Sequence, residues 1–580
     1  MTGPRLVLPL LLLCHLGAAA AGLPVDVRVT GVSGPLRENV QAYLTIEKEK
    51  ADPDLDKFQL ERLNKRAPDE ITKALQPFGY YHAKVSTTLT FANGRWLAHY
   101  DVDPGPPVRI TNIDLRLEGG GAGDIGFHAL IGDFPLSAGD VLNQPLYERG
   151  KQAFQRYASD YGYFDFKWRT SEIAVNLDTN SAVITLLADT GARYRFGDIR
   201  FQQDALSKDL IRRFLPFHSG DPYQASALLD LQNALLDSNY FRTVDINPRR
   251  NETASQRIPV DIILTPRPQQ LYTVGAGYGT DTGLRGRVGW EDRRINSRGH
   301  RFSSEYKTSQ ILDSLTARYI IPIKDPRTDQ FAITSSWIHD HPENSNSESY
   351  LLGASRSVDR GNNWLETLYL NYQTERFSVA GETGNSVMLM PGITWTKVVA
   401  DSRIYPERGL YLLLDVRGAH PDVVSNVQFL QVQGQGKFIH KVFGDARVML
   451  RGQVGATRFG SIQTLPTSVR FFAGGDQSVR GYAYHSLGPR NAAGQVVGGE
   501  QLLVGSAEFE QRFVHGWSGV VFYDVGNAIN SWQEDLKKGT GFGMHWLSPI
   551  GPIRLDIGFP LSDPSPFKHP RLHLNIGPDL

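Results

Sequence analysis

Three sets of residues in this 580-residue chain have types and spacings that could do chemistry. Glu508 and Asp524 could supply the paired carboxylates of a general acid and base, one holding a proton while the other releases it. His339 and His341 flank Asp340, a donor set that a divalent metal could use. Gly275-Ala276-Gly277 is a weak form of a phosphate-cradling glycine pattern. Each has a plainer reading. The histidines lie in a polar stretch that continues to Ser349, which favours a surface loop over a metal site, and the glycines suit a strand. There is no G-x-S-x-G elbow and no P-loop. The expectation is a protein that is not an enzyme, with no catalytic residue, no cofactor and no metal.

Composition bounds the rest. Lys+Arg and Asp+Glu are both 61, which gives no support for nucleic-acid binding. Arg5, the apolar run Leu6–Leu13 and the small residues Gly17–Gly22 read as a secretory signal over 1–21, too short to span a bilayer. The single cysteine, Cys14, lies inside it, so the mature chain is expected to lack disulfides. Leu13 stands where a lipoprotein signal would carry a small residue. Past the signal no run approaches the ~18 apolar residues of a membrane-spanning helix. A transmembrane β-barrel would not show one.

The elements that must position these residues fall into two regimes. Up to about residue 267 the chain repeats. Phe78-Gly79-Tyr80-Tyr81, Tyr161-Gly162-Tyr163-Phe164 and Ser238-Asn239-Tyr240-Phe241 mark the repeat, their second residues 83 and 77 positions apart. Apolar residues at helical spacing precede each mark, and Gly or Asn supplies the left-handed residue that ends a helix. A strand follows each mark, at Ala83–Thr90, Phe166–Thr170 and Thr243–Ile246. Strands also open the units, at Val25–Val29, Val108–Ile113 and Tyr194–Phe201. Others close them, as at Ser181–Leu187 and Val260–Leu264. The order is strand, helices, strand, strand.

Past Arg267 the period changes to two. In Leu368–Gln373, Leu430–Lys437, Val448–Ala456 and Ile553–Ile557, aliphatic residues alternate with Asn, Gln, Arg or Asp. A two-layer sandwich and a transmembrane barrel both alternate. The 310 residues after position 270 favour a barrel, enough for 16 strands of ~10 residues with turns.

The repeat order and its marks resemble the POTRA domain family. Gly474-Gly475-Asp476-Gln477-Ser478-Val479-Arg480-Gly481-Tyr482 resembles the VRGY/F motif on an inward-folded loop of the Omp85 superfamily. Gly505–Glu508 and Phe522–Gly526 are similar to two strand motifs of that superfamily. The resemblance implies that Arg480 meets Glu508 and Asp524, with Val479, Gly481 and Tyr482 forming the rest of the lumen anchor. A planar guanidinium suits such carboxylates, and Gly481 permits a sharp turn. This partnership gives the two carboxylates a structural role in place of a catalytic one.

The resemblance implies a multidomain chain: signal peptide 1–21, POTRA 1 at 22–105, POTRA 2 at 106–191, POTRA 3 at 192–267, and a 16-stranded antiparallel barrel at 268–580. Three units resemble the TamA branch of the superfamily, the outer-membrane subunits of the translocation and assembly module. That implies an outer-membrane location in a Gram-negative cell, with the N-terminal domains in the periplasm. It also implies unfolded outer-membrane proteins of the autotransporter type as substrates, contact with membrane lipids, and a TamB-like inner-membrane-anchored partner. Segments 278–283, 296–300, 406–409 and 576–580 agree, although Leu580 stands where many such barrels end in an aromatic residue. The strands that must close the barrel look poor at pairing. Val274, Gly275 and Gly277 lie in the first, Leu574 and Ile576 in the last, and Pro578 beyond has no N–H to donate. A seam that opens sideways would let a substrate strand pair with a free edge. The competing reading is a two-partner secretion pore that exports a dedicated exoprotein through its lumen; a passive porin is a third.

Overall fold

A computed structural model of the chain describes residues 23–576 apart from 254, 344, 403–404, 461–464, 515 and 549–550. The expected signal over 1–21 with Cys14, and the terminal residues Pro578 and Leu580, lie outside the described residues.

In the first repeat, Leu60, Leu63, Ala67, Ile71, Ala74 and Leu75 recur every three or four residues, and all are buried on one face of a helix. The repeat runs β1 (Val25–Thr30), α1 (Gly34–Tyr43), α2 (Thr45–Glu49), α3 (Lys57–Leu75), β2 (Lys84–Ala92) and β3 (Arg95–Asp103). Asp56 caps α3 by accepting from Gln59 N. The helix face packs on Val29, Ala98, Tyr100 and Val102 of a sheet ordered β1-β3-β2. The second repeat has β4 (Arg109–Glu118), α4 (Ile125–Gly132), α5 (Gln144–Asp160), β5 (Lys167–Asn176) and β6 (Ser181–Asp189), in the order β4-β6-β5. The third has β7 (Arg195–Gln202), α6 (Lys208–Arg212), α7 (Ala225–Asp237), β8 (Phe241–Pro248) and β9 (Arg257–Pro266), in the order β7-β9-β8. The three repeat marks do the same work: Gly79, Gly162 and Asn239 have φ of 84°, 84° and 62°, the left-handed conformation that stops a helix and turns the chain into the next strand.

The remaining strands form one antiparallel sheet of 16, in sequence order. They are β10 (Gln270–Gly279), β11 (Gly283–Asp292), β12 (Arg301–Thr308), β13 (Leu312–Pro322), β14 (Asp329–Asp340), β15 (Ser345–Asp359), β16 (Trp364–Val379) and β17 (Glu382–Ala400). Then follow β18 (Arg408–Ala419), β19 (Phe429–Lys441), β20 (Ala446–Phe459), β21 (Gln501–Val514), β22 (Trp517–Ile529), β23 (Lys537–Ser548), β24 (Gly551–Pro560) and β25 (Arg571–Ile576).

Burial separates barrel from sandwich. On β16, Leu368, Leu370 and Tyr372 are exposed while Gln373 and Glu375 are buried; on β19, Leu430 is 56% exposed and Gln431 1%. A sandwich would show the opposite pattern. Apolar residues outside and polar residues inside are the pattern of a barrel that faces lipid around a polar lumen.

The chain parts into two compact units. One runs through Ile199 and takes in Phe217–Leu228 and Pro248–Val260; the other comprises Arg200–Pro216, Leu229–Asn247 and the chain from Asp261 on. Within the second unit, segments of the third repeat grip barrel turns. Ser207 N donates to Ser297 O at 2.7 Å, Tyr240 OH to Gly299 O at 2.5 Å, and Arg213 to Ile323 O at 2.5 Å.

The stretch around His339, expected to be a surface loop, is strand as far as Asp340. Its Trp337 and Ile338 pair with Leu315 and Ser314 of β13, and this ladder overrides the polar composition.

Candidate functional site: an inward loop beside an unzipped seam

The long connection between β20 and β21 turns back into the lumen. Arg480 lies on it and is 4% exposed. Its Nε and Nη2 donate to the two oxygens of Asp524 on β22, at 2.8 and 3.0 Å. Nη1 donates to Glu508 on β21 at 2.8 Å and to Asp556 on β24 at 3.0 Å. The backbone N–H of Arg480 adds a bond to Asp524 at 3.0 Å. Its guanidinium carbon stands 3.4 Å from the centre of the Phe522 ring, a cation–π contact in a desolvated setting. Three strands thus converge on one side chain. A buried pair of this kind contributes little net stability when complete, but removing one partner costs ~3–5 kcal/mol.

The loop backbone is seated as closely as its side chain. Gly481 has φ of 95°. A Cβ on Gly558 of β24 would lie 2.6 Å from Gly481 N, and one on Gly539 of β23 would lie 2.1 Å from Arg480 O. Main chain therefore lies against main chain, and only glycine fits there. Tyr482 and Val479 are buried with Ala473, Leu487 and Val504. From β20, Arg451 holds Ser478 O at 3.2 Å and Asp476 O at 3.4 Å.

The same loop touches both ends of the sheet. Gly481 N–H donates to Nε2 of His573 on β25 at 2.9 Å. That fixes the tautomer: Nε2 is the acceptor, and Nδ1–H is left to face the Asp476 carboxylate, with which it is bonded. Asp476 N–H donates to Asp281 at 2.6 Å, and Thr280 Oγ1 donates to Asp476 at 3.3 Å. Thr280 and Asp281 follow β10, so Asp476 bridges the first and last strands.

Between those strands no ladder forms among the described residues. Thr280 N donates to Leu574 O at 3.2 Å, and Leu574 N donates back to Thr280 Oγ1 at 3.1 Å. Arg285 reaches Ile576 O at 3.2 Å. These hydrogen bonds are made beyond Gly279. Val274, Gly275 and Gly277 pair with Val288, Arg287 and Arg285 of β11. Leu574 and Ile576 pair with Leu555 and Ile553 of β24. Val274 is 83% exposed.

Sequence reasoning put Arg480, Glu508 and Asp524 together and missed Asp556 and His573. Both stand in polar-in, apolar-out alternation, at Arg554–Asp556 and Leu572–His573–Leu574, which marks them as facing the lumen but names no partner.

The sequence and the fold match known proteins. The Omp85 superfamily domain matches residues 270–579. The chain belongs to the Omp85 superfamily. The POTRA domain TamA domain 1 family matches residues 26–104, and the surface antigen variable number repeat, a POTRA family, matches 194–267. The outer membrane protein assembly factor BamA of Nitratidesulfovibrio vulgaris is 22% identical over 432 residues, 70% of this chain and 54% of that one. BamA of Neisseria meningitidis is 22% identical over 485 residues, 70% of this chain and 60% of that one. The chain thus spans little more than half the length of these relatives. The crystal structure of BamA from Haemophilus ducreyi lacking POTRA domains 1–3 shares the fold at a TM-score of 0.67 and 16% identity, covering 81% of this chain and 99% of that one. As an Omp85 barrel preceded by POTRA domains, the protein lies in the outer membrane with those domains in the periplasm.

Proposed function

We propose that the protein is an outer-membrane assembly factor of the TamA type. It helps insert autotransporter-type β-barrel proteins through its seam and works with a TamB-like partner anchored in the inner membrane. The observation that carries this reading is the seam, where β10 and β25 form no ladder among the described residues and one backbone hydrogen bond, from Thr280 just past β10, reaches Leu574 of β25. A free strand edge facing lipid is unfavourable, because its amides and carbonyls find no water there. An incoming substrate strand relieves that cost by pairing with the edge. Lipids beside the seam are the third participant, since they must part as the strand enters. The match of the first repeat to the TamA-specific POTRA family supports the subtype. The name assembly factor carried by the relatives supports barrel insertion over export.

Locking the seam tests the mechanism. Thr280→Cys with Leu574→Cys places two thiols where the strands touch. Under oxidation, insertion of an autotransporter-type substrate should stop, and reductant should restore it. Full insertion with the disulfide formed refutes the reading. Crosslinking of the periplasmic arm in whole envelopes should recover a TamB-like protein. A single secreted exoprotein, together with a wide conducting pore in channel recordings, would mark a two-partner secretion transporter instead.

A further inference from the structure

His339 and His341 have no role in the seam or the inward loop, yet they do not lie apart. Two residues apart on one strand and its extension, their side chains project to the same side. The rings stack, with centres 4.4 Å apart and planes at 26°. Asp313 on β13 is the direct cross-strand partner of His339. One donor atom from each of Asp313, His339 and His341 lies within 4.8 Å of the other two.

The protonation pattern suits a metal. His339 Nε2 faces Asn346 Oδ1 at 3.1 Å; because that oxygen can only accept, the proton sits on Nε2 and the Nδ1 lone pair is free. A second-layer acceptor that fixes the tautomer is the usual support of a metal-binding imidazole. His341 Nδ1 is buried and has no hydrogen-bond partner among the described residues, which is costly for a polar atom unless something binds it. Glu348, opposite His339, is already engaged by Trp337 Nε1 at 3.1 Å and Tyr350 OH at 2.9 Å. The similar donor set Asp281, Asp476 and His573 differs here, since both His573 nitrogens are occupied by Gly481 and Asp476.

The position is also suitable. The turn after β13 is gripped by Arg213 of the third repeat, so the far end of β14, at Asp340, lies at the cell-surface end of the barrel. Tyr306 donates its hydroxyl to Asp313 at 3.3 Å and the Trp337 ring centre lies 6.5 Å from that of His339; such aromatics mark the membrane interface. The three donors therefore sit at the water-facing rim, open to ions from outside.

We propose that Asp313, His339 and His341 form a binding site for a divalent transition metal, Zn²⁺ by ligand type, with water completing the coordination. Two imidazoles and a carboxylate select such an ion over Mg²⁺ or Ca²⁺, which take oxygen ligands. Binding would cross-link β13 to β14 at the outer rim.

The test uses the full chain, purified in detergent without a histidine tag and titrated with Co²⁺ followed by Zn²⁺. One equivalent of Co²⁺ should give a visible d–d absorption that Zn²⁺ abolishes. H339N/H341N should lose this signal while still migrating as a folded barrel in an unheated gel. Asn346→Ala should weaken binding about tenfold, as removal of a second-layer partner does. His420→Asn, remote from the cluster in sequence, should bind as the parent does. If the double variant does not reach the folded form, Asp313→Asn takes its place. No uptake by the parent protein, or equal uptake by the folded variants, overturns the assignment.

Discussion

Gly481 N–H donates to His573 Nε2 at 2.9 Å, and this bond ties the inward loop to the last strand of the barrel. The loop and the seam are therefore not independent. Whatever frees β25 to move must also release or carry the loop. His573→Ala leaves a buried N–H without a partner, at a cost of ~1–3 kcal/mol. A cysteine placed at Ser478 should then be labelled faster by a water-soluble maleimide than in the parent. His573→Gln, which can still accept, should restore part of the protection. Equal labelling in all three would show that the bond does not hold the loop.

Arg480→Ala should do more. It leaves buried Glu508 and Asp524 without the guanidinium they share, a loss of ~3–5 kcal/mol in the seating of the loop. Assembly of substrate should fall further than the amount of folded barrel in the membrane, and pulse-labelled substrate together with heat-modifiable migration measures both. Arg480→Lys should rescue poorly, because an ammonium cannot reproduce the fork onto Asp524.

The glycine cradle gives a matched pair of substitutions. A Cβ on Gly558 would lie 2.6 Å from Gly481 N and 3.0 Å from Arg480 C, whereas one on Gly452 meets nothing nearer than Val504 O at 3.9 Å. Gly558→Ala should lower the unfolding midpoint in gel-shift assays by an amount worth ~1–3 kcal/mol, the usual cost of overpacking. Gly452→Ala should leave it within the scatter of the parent.

In the periplasmic arm, Asp124 sits at the start of α4 among groups that favour its ionised form. Burial raises the affinity of its carboxyl for a proton. Hydrogen bonds from Tyr157 and Tyr163, the Gly126 N–H and the Arg193 charge outweigh burial and hold it below the usual carboxylate range. Burial and the same carboxylate push the Tyr163 hydroxyl up to about 12. A depressed carboxyl adds stability above its unfolded value of ~3.9 and loses it as pH falls through the lower folded value. Protection from hydrogen exchange at the start of α4, taken relative to the intrinsic rate at each pH, should therefore be flat from neutral pH down to that region and fall below it. Asp124→Asn should exchange faster at neutral pH and show no such acid step.

Much of this was legible in the sequence because local rules set it. Gly79, Gly162 and Asn239 end their helices in the left-handed conformation that their types invite. The alternation in Leu368–Gln373 gave the facing of β16, once it was known that lipid lay outside. The motif around Arg480 brought Glu508 and Asp524 with it. What the sequence hid depends on closure of the sheet. Asp556 and His573 reach the loop only because β24 and β25 come round to it, and Gly539 and Gly558 read as ordinary strand glycines until another backbone is laid across them. His339 read as loop because its neighbours are polar, and strand pairing overrode that composition.

The bare edge of β10 carries a consequence for selectivity. From Gln270 to Tyr278 its outward backbone has no ladder partner among the described residues, and Gly275 and Gly277 present no side chain there. Main-chain pairing is the same for every residue except proline. Pairing through main chain discriminates between extended and folded segments, but adds little to tell one extended substrate from another. On the function proposed above, the choice of client falls upstream of the membrane and the barrel is an indiscriminate last step.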